Sequence, residues 1–368
     1  MHFIIEVFIF NAGYQVNRFT MMKKLFLVLM LSFWSLFSSR AGVTDLDVNA
    51  FEQKVADPSV AIIDVRSAEE YAAGHLRGAS NVDWFAPDFV DQVVASYPKN
   101  VPLALYCRSG RRSSSAAGKL AKEGYTVFNL EGGFLAWNKM RKKVCYYDVQ
   151  TFFTPGGTPV MLTLIKHGSL EVSAKGVSIQ IDPVTEYGRR TEYSVEFPKA
   201  DVVLVTHEHG DHLDASAIKA LSDSKTRVII NAAGAEALGS GEVIANGGTA
   251  TLPGGILLEA VPAYNTTKGR EKFHPKGNGN GYVLNIDGLK IYIAGDTEPY
   301  PEMESLNGVD VALLPVNQPY TMTVDQCVKA AQLIEPKTLI PYHYSQTDIS
   351  GLPALLPEVK VIIRVSMR

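Results

Sequence analysis

Three histidines and an aspartate stand within six residues in THEHGDHLD (Thr206 to Asp214), directly after the apolar run DVVLV (Asp201 to Val205). Imidazoles and carboxylates are ligands suited to zinc or iron. On an irregular loop, His207 and His209 can face one ion while Asp211 and His212 face another. Two later segments repeat the arrangement: KIYIAGDT ends at Gly295-Asp296-Thr297, and KTLIPYHY carries His343. Each puts a metal-capable residue just past a β-rich run. A different chemistry sits in CRSGRRS (Cys107 to Ser113), between the strand-like LALY and a helix-like stretch. Successive backbone N–H groups of a strand-to-helix loop form a concavity for an anion, and the helix dipole adds positive potential. The amides of Ser109 and Gly110 lie in that loop, and Arg108, Arg111 and Arg112 strengthen the field. The Cys107 thiol should therefore fall below its free pKa of ~8.5, and a persulfide on the same sulfur would be stabilised likewise.

The elements that must hold these residues follow from periodicity. From Val43 to about Arg141, short buried-looking strands (AIIDV, LALY, TVFNL) alternate with helical stretches, the pattern of an α/β domain with a mainly parallel sheet. Residues 143–160 read as a connector punctuated by TPGGTP. Strand-like alternation resumes from Met161, and the metal-capable residues fall at strand ends, where α/β layers put their sites. Cys145 and Cys327 lack the charged surroundings of Cys107 and read as structural thiols, or as a pair if oxidised after export. His167 reads as a structural or supporting residue.

The chain has 368 residues, enough for two domains at ~150 residues each. Its 46% hydrophobic and 20% charged residues exclude a disordered or fibrous chain. A net charge of -3 argues against a nucleic-acid partner, which needs a basic surface. Lys23 and Lys24, the uncharged run Leu25 to Phe37, and small residues at Ser39 and Ala41 fit a secretory signal cleaved after Ala41. That run is too short for a ~30 Å hydrocarbon core, so no stable membrane span is expected after cleavage, an uncleaved anchor being the alternative. Residues 1–20 fit no targeting pattern, and Met21 or Met22 makes the better start. The expected location is exported, periplasmic or secreted.

DVRSAEEYAAGHLRGASN (Asp64 to Asn81), CRSGRRS and LEGGFLAWNK (Leu130 to Lys139) together resemble the rhodanese family of sulfurtransferases, over residues 43–142. The resemblance implies that Cys107 carries a persulfide, cradled by Arg108, Ser109, Gly110, Arg111 and Arg112. It implies a sulfur donor or acceptor thiol as partner. Asp64 and Arg66 become scaffold residues supported by Glu69, and His75 structural rather than catalytic. A six-residue loop suits sulfur rather than phosphate.

From 161 to 368, IDPV, THEHGDHLD, PAYN, HPKGNGNGY, AGDTEPYPEM, DVALLPVN, PYTM and IPYHY resemble the metallo-β-lactamase superfamily, an αββα sandwich. The resemblance is closest to its lactonase and N-acylphosphatidylethanolamine phospholipase branch. It implies two divalent ions, taken as Zn2+. His207 and His209 would hold the first, Asp211, His212 and His343 the second, and Asp296 would bridge. A water activated there would be the nucleophile, with Asp211 orienting it. The small-molecule substrate stays open among phosphodiester, lactone and amide. One position departs from the pattern. The strand ILLEAVPAYN ends in Tyr264-Asn265, without the histidine that the superfamily normally supplies to the first metal. His274, in the following loop, either folds back as that ligand or binds substrate. An iron-dependent persulfide dioxygenase is the rival enzyme, and a sulfur-sensing or binding module the non-enzymatic alternative.

Overall fold

The computed structural model describes residues 42–368. The expected export signal, residues 1–42, lies outside the described residues except for Gly42. Among the described residues no helix is long and apolar enough to cross a membrane.

Five short strands open the chain: β1 (Val43–Leu46), β2 (Ala61–Asp64), β3 (Ala79–Asn81), β4 (Leu103–Tyr106) and β5 (Val127–Leu130). They form one sheet in the order β1-β5-β4-β2-β3, with every pairing parallel. A parallel sheet is covered on both faces, so its central strands are apolar throughout. In β4, Leu103 and Leu105 pack with Val93 and Leu120 on one face, while Ala104 and Tyr106 pack with Phe51 and Trp137 on the other.

Two seven-stranded sheets follow. The first contains β6 (Asp148–Phe153), β7 (Pro159–Lys166), β8 (Ser169–Ala174), β9 (Val177–Ile181), β10 (Val202–Val205), β11 (Arg227–Ile230) and β12 (Glu242–Val243). The second runs β13 (Thr249–Thr251), β14 (Leu257–Ala263), β15 (Gly279–Ile286), β16 (Leu289–Ile293), β17 (Val311–Pro315), β18 (Thr338–Tyr342) and β19 (Lys360–Val361), side by side in chain order. The sheets face each other through one large core to which Leu162, Val172 and Leu204 contribute from one side and Leu258, Leu284 and Leu313 from the other. Alternation in β10 sends Val202 and Leu204 into that core, and Val203 and Val205 against Ala217, Ile218 and Leu221 of an outer helix. Beyond the second sheet, Cys327, Ala330 and Ile334 of the helix Val324–Ile334 join the same core. This is the expected αββα sandwich behind a rhodanese-like α/β domain.

The connector needs correction. Residues 148–153 form β6, paired antiparallel with β7 from Phe153↔Pro159 to Asp148↔Leu164. TPGGTP is the hairpin turn between them, closed by hydrogen bonds between Thr154 and Thr158. The junction is therefore only residues 140–147, and it is tied down. His75 and Cys145 exchange two backbone hydrogen bonds, and Tyr71 Oη accepts from Val149 N–H at 3.1 Å. His75 is fully buried and stacked on Tyr71, a structural role at the seam as expected. Cys145 and Cys327 are free thiols buried in separate clusters, so they are not a disulfide pair.

The seam also holds a buried charge. Glu171 on β8, 1% exposed, is paired at 2.5 Å with Arg77 of the first domain and accepts a hydrogen bond from Ser178. Removing one partner of such a pair strands the other in a poor solvent, typically at several kcal/mol. Arg77→Ala should lower the calorimetric unfolding midpoint by several degrees and open residues 140–147 to protease, with Arg77→Lys intermediate. Unchanged melting and cleavage in Arg77→Ala would show that the seam does not depend on this pair.

Candidate functional site

Strand register brings the metal-capable residues to one rim of the sandwich. The end of β9 adjoins the start of β8, and the end of β14 adjoins the start of β15. The ends of β17 and β18 lie side by side. The loops after β7, β9, β10, β14, β16 and β18 therefore open at a common edge.

Asp296, 4% exposed, stands at the centre. His274 Nε2 is 3.2 Å from its carboxylate, and His212 Nε2 and His343 Nε2 are each 3.5 Å away. Burial would push the Asp296 carboxyl up, but His343, His212 and His274 hold it well below its ordinary range. On one side, donor atoms of His207, His209 and His274 converge within 4.8 Å of one another. On the other, Asp211 Oδ2 lies 3.3 Å from His343 Nε2 and 4.0 Å from His212 Nε2. All seven residues predicted as metal ligands are thus brought together.

His274 lies in the loop after β14, the strand whose end lacks the expected histidine. The Asn265 N–H donates to the His274 carbonyl at 2.9 Å, so the loop returns to the position where the missing histidine was expected. Asn265 Nδ2 also donates to the carbonyls of Tyr320 and Arg270. One buried amide therefore fixes two loops around the site.

One supporting carboxylate was not legible as such. Asp182, fully buried after β9, accepts from Thr206 N–H and from the Thr206 hydroxyl, both at 2.7 Å. It also pairs at 2.7 Å with His212 Nδ1, leaving Nε2 directed at the centre. Burial disfavours the His212 cation, but Asp296 and Asp182 raise its pKa to about 10. The aspartate of IDPV, directly following a strand, was the available signal. His167 bears out a supporting role: its Nε2 lies 3.3 Å from Asp211 Oδ2, and its ring packs on His343. Burial lowers its pKa to about 4, which keeps it neutral.

The donors pass a test of fit for cations. Among the described residues, His212 Nε2, both ring nitrogens of His274 and Asp296 Oδ1 are buried with no hydrogen-bond partner. Unpaired buried polar atoms cost about 1–3 kcal/mol each. His212 Nε2, His274 Nε2 and Asp296 Oδ1 converge at the centre, and a cation taking the place of the His212 proton would give them a shared partner. Burial pulls the His207 cation well down, keeping that imidazole a neutral donor.

The second cluster is the Cys107 loop, between β4 and the helix Arg111–Lys122. Cys107 Sγ accepts from Gly110 N–H at 3.2 Å and from the Ser113 hydroxyl at 3.5 Å. Burial pushes the thiol up, but the Ser113 hydroxyl and the amides of Ser113, Ser109 and Gly110 outweigh it and lower the pKa. Of the arginines, Arg108 and Arg111 are exposed, while Arg112 turns inward to pair with Glu70 at 2.7 Å. The supporting acid is therefore Glu70 rather than the expected Glu69, which is exposed. Ser67 caps the short helix Ala68–Ala72 and Glu70 closes its capping box, which turns Glu70 toward Arg112. Gly133 presses on the loop: a Cβ there would lie 2.3 Å from the Cys107 carbonyl.

A buried His/Asp centre at the rim of an αββα sandwich, behind a rhodanese-like loop, defines the class. A model of the beta-lactamase superfamily domain matches residues 161–343, and one of the rhodanese-like domain matches 47–140. A UPF0173 metal-dependent hydrolase of Pyrococcus abyssi is 35% identical over 45% of this chain and 77% of its own length. The Thermus thermophilus relative is 34% identical over 50% of this chain and 84% of its own. A solved structure described as a metal-dependent hydrolase, from Parabacteroides distasonis, shares 51% identity with a TM-score of 0.57, covering 60% of this chain and 99% of that one. The chain belongs to the UPF0173 metal-dependent hydrolases of the β-lactamase superfamily and carries a rhodanese-like domain ahead of the hydrolase domain.

Two outcomes follow from this geometry. His274→Ala should cut metal content to about half as counted by elemental analysis, because Asp211, His212 and His343 are untouched; a full complement would assign His274 to substrate instead. Ser113→Ala should slow Cys107 alkylation by iodoacetamide at pH 7 by several-fold, since it removes a hydrogen bond that favours the thiolate. An unchanged pH profile would mean that the backbone amides suffice.

Proposed function

We propose that the chain is a binuclear Zn2+-dependent hydrolase coupled to a Cys107 sulfurtransferase, working after export. The observation that carries the hydrolase reading is the buried Asp296 carboxylate, flanked by two converging sets of histidine and carboxylate donors. His207, His209 and His274 would hold one ion and Asp211, His212 and His343 the other, with Asp296 shared. When bound, two such ions polarise the scissile bond and bring the pKa of a water to ~7. Asp182 fixes the His212 ring by its Nδ1 contact, so that Nε2 points inward. Asp211, one-third exposed, orients the attacking water and is itself held by His167 and His343. A single-iron persulfide dioxygenase would suit the neighbouring rhodanese-like loop, but it leaves one set of these donors without a task.

In the first domain, the Cys107 thiolate attacks the outer sulfur of a thiosulfate or persulfide. The S–S bond breaks, sulfite or a thiolate leaves, and the persulfide passes its outer sulfur to cyanide or a thiol. The amides and Arg112 stabilise both anionic forms of the sulfur. Export is supported by Lys23 and Lys24, the apolar run Leu25 to Phe37 and the small residues Ser39 and Ala41.

The test is Cys107→Ser. Thiosulfate-to-cyanide sulfur transfer should fall to the uncatalysed background while metal content stays at two ions per chain. Retained transfer would end the sulfurtransferase assignment, and one iron per chain in the parent protein would favour the dioxygenase.

A further inference from the structure

The residues of the metal centre form the floor of a cavity of about 750 Å³. Its walls come from four loops, those after β9, β14, β17 and β18. Phe273 and Tyr320 meet edge-on with ring centroids 5.1 Å apart. Asn317 and Gln318 precede Tyr320 on the same loop, and Tyr187 and Thr347 close the far side. Among the described residues that line this cavity, none is Lys or Arg. The charged groups facing into it are the carboxylates of Asp211 and Asp296, beside the histidines.

That composition selects by charge. A phosphate or phosphodiester group would find no guanidinium or ammonium on the walls to take its remaining oxygens, the groups proteins use for such anions. The walls offer neutral polar groups instead. Asn317 is 9% exposed and lies at the cavity surface, and its side-chain amide makes no hydrogen bond to the described residues. The aromatic pair is held open to the cavity rather than collapsed into the core. Tyr320 is 47% exposed, and the Asn265 amide grips its carbonyl at 2.7 Å. Because Asn265 also holds the His274 carbonyl, the aromatic wall and the metal-site floor share one anchor. A flat apolar group resting on Phe273 and Tyr320 would thus be placed at a fixed offset from the centre.

We propose that the substrate is an uncharged acyl compound, an ester, lactone or amide, whose flat apolar or aromatic portion docks on Phe273 and Tyr320 while its carbonyl reaches the floor and the Asn317 amide. The inference rests on the hydrolase reading above and narrows it. In the reaction, the water oxygen bonds to the acyl carbon, the carbon–heteroatom bond breaks, and the water proton goes to the departing alkoxide or amine. An ester or amide gives a carboxylic acid and an alcohol or amine, and a lactone opens to one hydroxy acid, with no change of oxidation state.

The test uses the full metal-loaded chain with two readouts. Steady-state kinetics compares aryl esters and aryl lactones with bis(p-nitrophenyl) phosphate, each rate being divided by its uncatalysed rate. Ligand-observed NMR follows binding of 4-phenyl-2-butanone, a neutral aryl ketone with no hydrolysable bond. The neutral substrates should be preferred. Tyr320→Ala should raise their KM about tenfold with kcat changed less than threefold, and should weaken ketone binding by a similar factor. An aromatic contact of ~1.4 kcal/mol is worth that tenfold. Tyr320→Phe should restore both, because the ring rather than the hydroxyl makes the contact. Metal content serves as the folding control. Preference for the phosphodiester, or a KM and ketone affinity indifferent to Tyr320→Ala, overturns the substrate class and leaves the hydrolase reading intact. Failure to hydrolyse either class at full metal content overturns both.

Discussion

A carboxylate taken out of water must be met by opposite charge or by strong donors, and Asp296 is the carboxylate that organises the second half of this chain. It is nearly inaccessible, and three imidazoles from three different loops approach it within 3.5 Å. No local segment could supply that set. The two sheets have to align six loops at one rim before the Asp296 carboxylate is balanced, so the fold and the site are one constraint. The surrounding network follows the same logic. Asp182 steadies His212, His167 and His343 share Asp211, and Asn265 ties the His274 loop to the Tyr320 loop.

The first domain solves a different electrostatic problem with different means. Amides and a hydroxyl draw the Cys107 thiol toward its anionic form, and a short loop with one helix terminus supplies them. Arg112 contributes from the side and is itself positioned by Glu70. The seam between the domains is built from an antiparallel bridge, a stacked His75–Tyr71 pair and the buried Glu171–Arg77 contact.

Much of this was legible because it is local. Strands such as LALY and DVVLV announce themselves as short apolar runs, and THEHGDHLD carries four metal donors on one loop. Cys107 stood out through its charged neighbours. What was illegible depends on contacts between distant residues. The reach of His274 is set by the Asn265 bond, which no spacing encodes. β6 hid because a Gly/Pro-rich hairpin turn looks like a linker when the partner strand is not known. Glu70 was missed by one position because the phase of a five-residue helix decides which acid faces inward. The cavity walls, Phe273 and Tyr320, lie 47 residues apart on separate loops and meet only in the folded chain.

The central claim is that two cations share Asp296. Anomalous diffraction from crystals of the metal-loaded protein, collected at the absorption edge of the bound metal, tests it most directly. Two peaks should flank the Asp296 carboxylate, one within coordination distance of His207, His209 and His274 and the other near Asp211, His212 and His343. A single peak, or a second one that leaves Asp296 uncoordinated, would contradict it.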